Sequence, residues 1–193
     1  MNKKQEFYNK TESNIPRKNI EFFINNLKCE PGHAIELGCG AGNDTIYLIK
    51  HGWNVHAIDR ENVKDRIMKR LNNEEYKFFR FSQQEFENVI LEKNNLLVAN
   101  FSLPFCNKND FSDLWNKIND SIAENGYFVG NFFGVNDEWK KTKENMTFLS
   151  KDEVLKLFDD FEILNFKEIE EDKETALGEM KHWHLIFVMA RKK

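Results

Sequence analysis

The sequence predicts a doubly wound α/β fold built on a seven-stranded, mostly parallel sheet whose last strand is antiparallel. Five alternations of strand-like and helix-like segments favour a parallel sheet with helices on both faces. Residues 96–101 are almost entirely apolar, which is typical of a central parallel strand buried on both sides. The last two strand-like segments, 161–170 and 182–190, are only ~11 residues apart, whereas a parallel pair needs a crossover of about a dozen or more.

The first half of the chain begins with residues 1–30, which are predicted to form an N-terminal helical cap region. Within it, Ile20, Phe23 and Leu27 have the spacing of an amphipathic helix, and Pro31-Gly32 ends that helix. Strand, turn and helix signals then alternate along the chain. The predicted elements are strands at 34–37, 53–58 and 76–81, with helices at 45–50 and around 63–71 between them.

The second half of the chain contains the clearest helical pattern, at residues 111–122, where apolar side chains recur every three or four positions. Asn125-Gly126 predicts a turn into a fifth strand at 127–133. Ser150 and Glu153 have the spacing of a capping box, which predicts a helix up to residue 158. The two closing strands complete the sheet.

Length and composition favour one domain covering residues 1–193 and argue against several classes of partner. The chain has 193 residues, 40% of them hydrophobic, and a net charge of -4, so it offers no strong basic field for nucleic acid or an anionic membrane. The longest apolar run, 185–190, is far shorter than the ~20 residues of a spanning helix. Three cysteines do not make a disulfide framework. We therefore expect a cytoplasmic protein that acts without nucleic acid or membrane.

A glycine turn is the most informative motif. Gly38-Cys39-Gly40-Ala41-Gly42 lies between a predicted strand and a predicted helix, and Asp59 ends the next strand. Glycines let the backbone turn tightly and approach a ligand closely. A carboxylate at the end of the following strand can accept both hydroxyls of a ribose. The motif therefore predicts a nucleoside site.

The residues around the turn distinguish between two nucleoside cofactors. A dinucleotide fingerprint requires glycine or alanine at position 43, where this chain has Asn43. Glu36 places a carboxylate two residues before the first glycine, which suits an ammonium group better than a pyrophosphate. A nicotinamide-dependent oxidoreductase thus remains as the less favoured alternative.

Residues 36–42 together with Asp59 resemble the first two motifs of class I S-adenosylmethionine-dependent methyltransferases. Residues 97–101 resemble the fourth-strand motif of that family, and residues 125–128 resemble its turn into the fifth strand. The short chain is similar to small bacterial members, among them the tellurite-resistance group. The resemblance implies a Rossmann-like methyltransferase fold, the cofactor S-adenosyl-L-methionine and a small-molecule acceptor with a thiol, hydroxyl, amine or metalloid oxyanion. A non-catalytic module that binds the cofactor is the alternative.

The resemblance also implies roles for individual residues. The segment from Glu36 to Gly42 is expected to hold the methionine part of the cofactor, Asp59 the ribose, and the turn after the third strand the adenine. Arg60 is expected against the adenine ring, and a cationic Arg17 suits the methionine carboxylate. The expected cofactor-binding residues are Glu36, Gly38, Cys39, Gly40, Gly42, Asp59, Arg60, Ser82, Gln83, Gln84, Asn100, Phe101 and Arg17.

The substrate side is expected where the last strand begins. If that strand is antiparallel, His182 and His184 start at the same sheet edge as the glycine turn, on one face, with Trp183 on the other. We predict His182 and His184 as catalytic residues; capping of the strand on the surface is the competing interpretation. No further ligand for a metal is evident in the sequence, so no metal is expected.

The partners expected from the sequence are few. Residues 100–105 lack the Asn/Asp-Pro-Pro-aromatic tetrad of amino-methylating DNA enzymes, which argues against a nucleic-acid substrate. We expect a small-molecule acceptor and a monomer or homodimer. The reaction class does not demand a general base, so the sequence leaves the identity of the acceptor open.

Overall fold

A seven-stranded sheet with helices on both faces forms the centre of the protein. The structure, a computed structural model, describes residues 3–27 and 29–193. Residues 1, 2 and 28 of the predicted N-terminal cap region lie outside the described residues. The helices are α1 (Lys3–Thr11), α2 (Lys18–Asn26), α3 (Asn43–Lys50), α4 (Lys64–Met68), α5 (Phe111–Ser121) and α6 (Lys151–Leu157). The strands are β1 (His33–Leu37), β2 (Asn54–Asp59), β3 (Phe79–Gln83), β4 (Asn94–Ala99), β5 (Ile122–Phe133), β6 (Phe161–Glu174) and β7 (Met180–Lys192).

The strand order explains where a ligand can bind. The order across the sheet is β3-β2-β1-β4-β5-β7-β6, and β1 to β5 are parallel. β7 is antiparallel to both of its neighbours, β5 and β6, which confirms the predicted direction of the last strand. Glu36 of β1 pairs with Ala57 of β2 and with Val98 of β4. The carboxyl ends of these three strands therefore lie side by side.

Two apolar layers cover the sheet. On one side, rings from α5 and β5 form the layer, with Trp115 5.4 Å from Phe128 and 5.0 Å from Phe158 between ring centroids. On the other side, Phe23 of α2 and Trp53 belong to a second buried cluster. Burial of both faces accounts for the nearly continuous apolar sequence of β4.

Several element boundaries differ from the sequence prediction. β5 begins at Ile122 rather than at residue 127, so that Asn125, with φ of 62°, lies inside it; β6 ends at Glu174 rather than at 170, and β7 begins at Met180 rather than at 182. The third strand begins at Phe79 rather than at residue 76, because its pairing with β2 begins at Val55, and residues 75–78 form a short 3-10 helix instead. The helix predicted around 63–71 ends at Met68, where the backbone tightens: Leu71 N donates to Met68 O. Within the described residues, no helix combines the length and the apolar character that a membrane crossing requires.

Candidate functional site

The glycine turn after β1 is held tightly against its surroundings. Gly38, Gly40 and Gly42 have φ of 70°, 56° and 79°. A Cβ at Gly42 would lie 2.4 Å from Cγ1 of Ile67, so glycine is required there for both backbone angle and space. A Cβ at Gly40 would meet only a ring carbon of Tyr8, at 4.0 Å. The middle of the turn therefore faces open space while its end is packed.

Asp59 connects the turn to the end of β2. Its Oδ2 accepts a hydrogen bond from the backbone N–H of Gly40, and its Oδ1 accepts one from that of Glu61, both at 2.9 Å. The side chain is buried, and this burial raises the pKa of the Asp59 carboxyl, while the two backbone hydrogen bonds lower it in part. Each carboxylate oxygen keeps a further lone pair for a ligand.

Two more buried carboxyl groups flank the turn. Glu36 accepts a short hydrogen bond from the Thr45 hydroxyl. Asp44, in the first turn of α3, accepts hydrogen bonds from the backbone N–H of Arg17 at 2.7 Å and from Asn100 Nδ2 at 2.8 Å.

Burial and mutual repulsion both disfavour negative charge at these groups. Burial raises the pKa of Glu36 well above its usual range, and the nearby Asp44 and Asp59 raise it further. Burial also raises the pKa of Asp44. A cationic ligand between these carboxyls offsets the cost of their ionisation, so the site is electrostatically suited to a cation.

A cavity of about 470 Å³ opens at this edge of the sheet. Ten of the thirteen residues predicted to bind the cofactor line it. They are Glu36, Gly38, Cys39, Gly40, Asp59, Arg60, Gln84, Asn100, Phe101 and Arg17. Their binding roles stay predictions, but the structure brings these residues together around one space.

The other three predicted cofactor residues lie beside the cavity. Gly42 is the N-cap of α3. The Ser82 hydroxyl is 2.8 Å from Nε2 of His56, and Gln83 Nε2 donates to the carbonyl of Arg60 at 2.9 Å. Gln83 therefore contacts the backbone of a lining residue, while Gln84 lines the cavity itself.

Helix α1 lies over the glycine turn; the cap region as a whole, residues 1–30, stays a prediction. Asn43 Nδ2 donates to the carbonyl of Thr11 at 2.8 Å, and Arg66 forms a short ion pair with Glu12. Tyr8 lines the cavity. Burial raises the pKa of the Tyr8 phenol, and the nearby carboxylate of Asp59 raises it further. The position of α1 was not evident from its sequence, which is mostly polar.

Aromatic rings form the opposite side of the cavity. We call Phe101, Phe105, Phe133, Trp139 and Trp183 the aromatic wall; Phe101, Phe105 and Trp139 line the cavity, and the other two rings lie behind them. Phe101 has φ of 52°, a conformation that costs a bulky residue about 1–3 kcal/mol. Its backbone N–H donates to Asn131 Oδ1 at 2.7 Å, and the Arg17 guanidinium carbon lies 4.5 Å from its ring centroid.

A buried ion pair supports the aromatic wall. Lys181 Nζ is 2.6 Å from Asp137 Oδ2, with 2% and 0% of the two side chains exposed. The same ammonium lies 3.6 Å from the ring centroid of Trp183 and 4.5 Å from that of Trp139. Asp137 also accepts from the backbone N–H of Trp139 at 3.1 Å. The sequence analysis did not anticipate this ion pair.

The two histidines predicted as catalytic contact strand β6. His182 Nδ1 is 2.8 Å from Asp172 Oδ1, and His182 Nε2 is 3.1 Å from Glu170 Oε1. Hydrogen bonding to the two carboxylates, with Asp172 having the larger effect, raises the pKa of His182. His184 is buried, and its Nε2 lies 2.9 Å from Glu168 Oε1.

The orientation of these side chains follows the predicted alternation along β7. The rings of His182 and His184 do not line the cavity, whereas Trp183 packs 6.1 Å from Phe101 between ring centroids. The catalytic role of the two histidines stays a prediction. Among the described residues, no group of three or more His, Cys, Asp or Glu side chains could hold a metal ion.

Comparison with known proteins identifies the family. The sequence model described as "Tellurite resistance protein TehB" matches residues 1–180. Among curated proteins, the ribosomal RNA small subunit methyltransferase C of Alcanivorax borkumensis is 47% identical over 30 residues. That alignment spans only 16% of this chain and 9% of the curated protein.

Solved structures share the whole architecture at low sequence identity. TehB from Haemophilus influenzae superposes with a TM-score of 0.77 at 18% identity, over 99% of this chain and 67% of that one. The 1,6-didemethyltoxoflavin-N1-methyltransferase of Burkholderia thailandensis superposes with a TM-score of 0.70 at 16% identity, over 92% and 77%. The N-methyltransferase NodS of Bradyrhizobium japonicum superposes with a TM-score of 0.67 at 12% identity, over 100% and 99%.

These findings confirm the fold class and the family resemblance drawn from the sequence. The superpositions cover 92–100% of this chain, so its fold is shared with these structures. The family match extends well beyond the glycine turn to most of the chain. The chain belongs to the family of the tellurite resistance protein TehB.

Proposed function

We propose that the protein is an S-adenosylmethionine-dependent methyltransferase that acts on a small-molecule acceptor. The observation that carries the proposal is the group of three buried carboxyls, Glu36, Asp44 and Asp59, around a cavity at a glycine turn. S-adenosylmethionine carries a sulfonium and an ammonium, and these two positive charges offset the negative charge of the carboxylates. A pyrophosphate, as in a nicotinamide cofactor, adds negative charge to the same place.

The residues present fit this cofactor. Glu36 belongs to the segment that the resemblance assigns to the methionine part. Asp44 follows that segment and accepts a hydrogen bond from the backbone N–H of Arg17, the residue proposed for the methionine carboxylate. Asp59 has lone pairs left for the ribose hydroxyls, since its two backbone hydrogen bonds use only one acceptor site on each oxygen. Arg60 and Gln84 line the part of the cavity next to β3, which suits the adenine.

The cofactor, when bound, supplies a methyl group that its sulfonium already activates. The chain's own residues therefore have to position the cofactor and the acceptor, enclose them and exclude water from the reacting atoms. The glycine turn and Asp59 fix one end of the ligand, and α1 covers it. The aromatic wall excludes water from the acceptor side. Orientation of two reactants can contribute roughly 7–11 kcal/mol in favourable cases.

The family and its structural neighbours support the same proposal. The Burkholderia thailandensis and Bradyrhizobium japonicum enzymes are methyltransferases crystallised with S-adenosylhomocysteine, the first also with bound 1,6-didemethyltoxoflavin. The family description names tellurite resistance, which makes a metalloid oxyanion one of the acceptors to be tested. Thiols, hydroxyls and amines are the others.

Calorimetric titration tests the cofactor part of the proposal. We expect micromolar binding of S-adenosylhomocysteine and no binding of NADH; the opposite result overturns the proposal. Asp59→Ala should weaken the binding of S-adenosylhomocysteine roughly 30- to 150-fold, the scale of hydrogen bonds to a charged group. Asp65→Ala, a change at an exposed carboxylate of α4, is the matched control and should leave affinity unchanged.

An activity screen tests the catalytic part. Consumption of S-adenosylmethionine is measured with thiols, phenols, amines and metalloid oxyanions as acceptors. Turnover with at least one small molecule is expected. Cofactor binding without turnover of any acceptor favours the non-catalytic module, and turnover confined to RNA or peptides contradicts the proposed acceptor class.

A further inference from the structure

The aromatic wall begins directly beside the cofactor end of the cavity. Phe101 follows Asn100, whose side chain binds Asp44, and Ser102 packs against Gly38 of the glycine turn. The next ring, Phe105, lies on the cavity with 45% of its surface exposed. A half-exposed aromatic ring on a concave surface is typical of a ligand contact.

The rings of the wall are fixed in place. Phe105 is 6.2 Å from Phe133 and 6.1 Å from Trp139 between ring centroids. The short 3-10 helix Leu103–Phe105 is held by Thr147, whose hydroxyl donates to the Cys106 carbonyl at 3.0 Å. Because the rings already pack against one another without a ligand, little rearrangement of the wall is needed for a ligand to pack on them.

The charge inside the wall is not available to an anionic acceptor. The ammonium of Lys181 is paired with Asp137 and enclosed by the rings of Trp139 and Trp183. A bare inorganic oxyanion against Phe105 and Trp139 would lose its water without gaining a charge partner from Lys181, which is unfavourable. The Arg17 guanidinium lies over Phe101 at the cofactor end, where it is proposed to hold the methionine carboxylate. A flat ring, in contrast, replaces water on the aromatic faces and makes edge or face contacts with them.

We infer that the acceptor is a planar aromatic or heteroaromatic molecule that packs against Phe101, Phe105 and Trp139; this rests on the proposed methyltransferase function. The attacking atom is a ring nitrogen, a thiolate or a phenolate. Its lone pair forms the bond to the methyl carbon as the sulfur–carbon bond breaks, and the electron pair of that bond neutralises the sulfonium. A ring nitrogen with a free lone pair or a thiolate carries no proton. A phenol, whose usual pKa is about 10, first releases its proton to solvent, and the phenolate then attacks.

The test compares two ligands that differ in planarity. Protein loaded with S-adenosylhomocysteine is titrated with 2-naphthol, with its saturated counterpart decahydro-2-naphthol, and with sodium tellurite. Apolar area alone predicts similar affinities for the two bicyclic alcohols. Aromatic contacts with the wall should make 2-naphthol bind at least ~5-fold more tightly, and tellurite should bind more weakly than either.

Two matched variants connect the preference to the wall. Phe105→Leu should reduce the preference for 2-naphthol to less than ~2-fold. Phe22→Leu, at a ring with the same 45% exposure on α2, should leave it unchanged. Phe105 and Phe22 are both half-exposed, so neither change is expected to unfold the protein.

The outcomes separate this inference from the proposed function. Failure of S-adenosylhomocysteine to bind overturns the proposed function and this inference with it. Binding of S-adenosylhomocysteine without a preference for 2-naphthol, binding of neither alcohol, tighter binding of tellurite, or an equal effect of the two variants overturns the inference alone.

Discussion

Replacing Gly42 by alanine tests how the glycine turn is built. The φ of 79° is unfavourable for any residue with a Cβ by about 1–2 kcal/mol. The new Cβ would also lie 2.4 Å and 2.7 Å from two side-chain carbons of the buried Ile67, and overpacking of this kind costs about 1–3 kcal/mol. The smaller entropy of the unfolded alanine chain returns about 0.4–1 kcal/mol. We expect a net loss of about 2–4 kcal/mol in the free energy of unfolding.

Alanine substitutions at two other glycines separate the cost of backbone strain from the cost of crowding. Gly178 has φ of 86°, but a Cβ there has no atom within 4 Å, so Gly178→Ala measures backbone strain alone, about 1 kcal/mol. Gly134 does not have a positive φ, but its Cβ would lie 2.3 Å from the His184 ring, so Gly134→Ala measures crowding alone. The assay is urea denaturation followed by tryptophan fluorescence, with slopes checked for equality between variants.

The comparison between Gly42→Ala and Gly178→Ala tests whether the glycine turn is packed against Ile67. The difference between their losses should be about 1–3 kcal/mol, the cost of crowding against Ile67. Equal losses in these two variants, or a loss in Gly42→Ala below about 1 kcal/mol, would refute the packing of the turn against α4.

Three further predictions concern charge and the histidines. Because burial and neighbouring carboxyls place the folded-state pKa of Glu36 above its unfolded value, its contribution to stability is greatest at low pH and is lost as the pH rises. Glu36→Gln should therefore gain stability relative to the native chain as the pH rises above the ordinary glutamate pKa of about 4.3, measured in urea titrations. In the same pH range, S-adenosylmethionine should bind the native chain more tightly than S-adenosylhomocysteine, which lacks the sulfonium charge. Lys181→Met should lower the free energy of unfolding by about 3–5 kcal/mol because it leaves Asp137 buried and unpaired, whereas the double change Lys181→Met/Asp137→Leu should lose much less; equal losses would contradict this. Alanine variants of His182 and His184 should lower turnover and leave the affinity for S-adenosylhomocysteine near that of the native chain, and unchanged turnover in both would remove them from the site.

Local sequence was sufficient for the centre of the site. Gly40 and Asp59 meet at 2.9 Å because a strand, a glycine turn, a helix and a second strand leave few other arrangements for a parallel pair. The buried Asp44, in contrast, could be read as an ordinary acid in the first turn of a helix. Its burial and its hydrogen bonds to Arg17 and Asn100 became evident only once the start of α2 and the segment after β4 were in place.

What the sequence by itself determined is the fold class, the direction of the last strand and the position of the glycine turn and Asp59 at one edge of the sheet, because each depends on residues that are close in the chain. The tertiary structure alone decided the aromatic wall, whose rings come from the segment after β4, from the end of β5, from the segment after β5 and from β7. It also decided that Trp183, rather than the neighbouring histidines, faces those rings. Hydrophobic periodicity shows which side chains are buried, but the partner of a buried ring depends on strand order, and here β7 lies between β5 and β6.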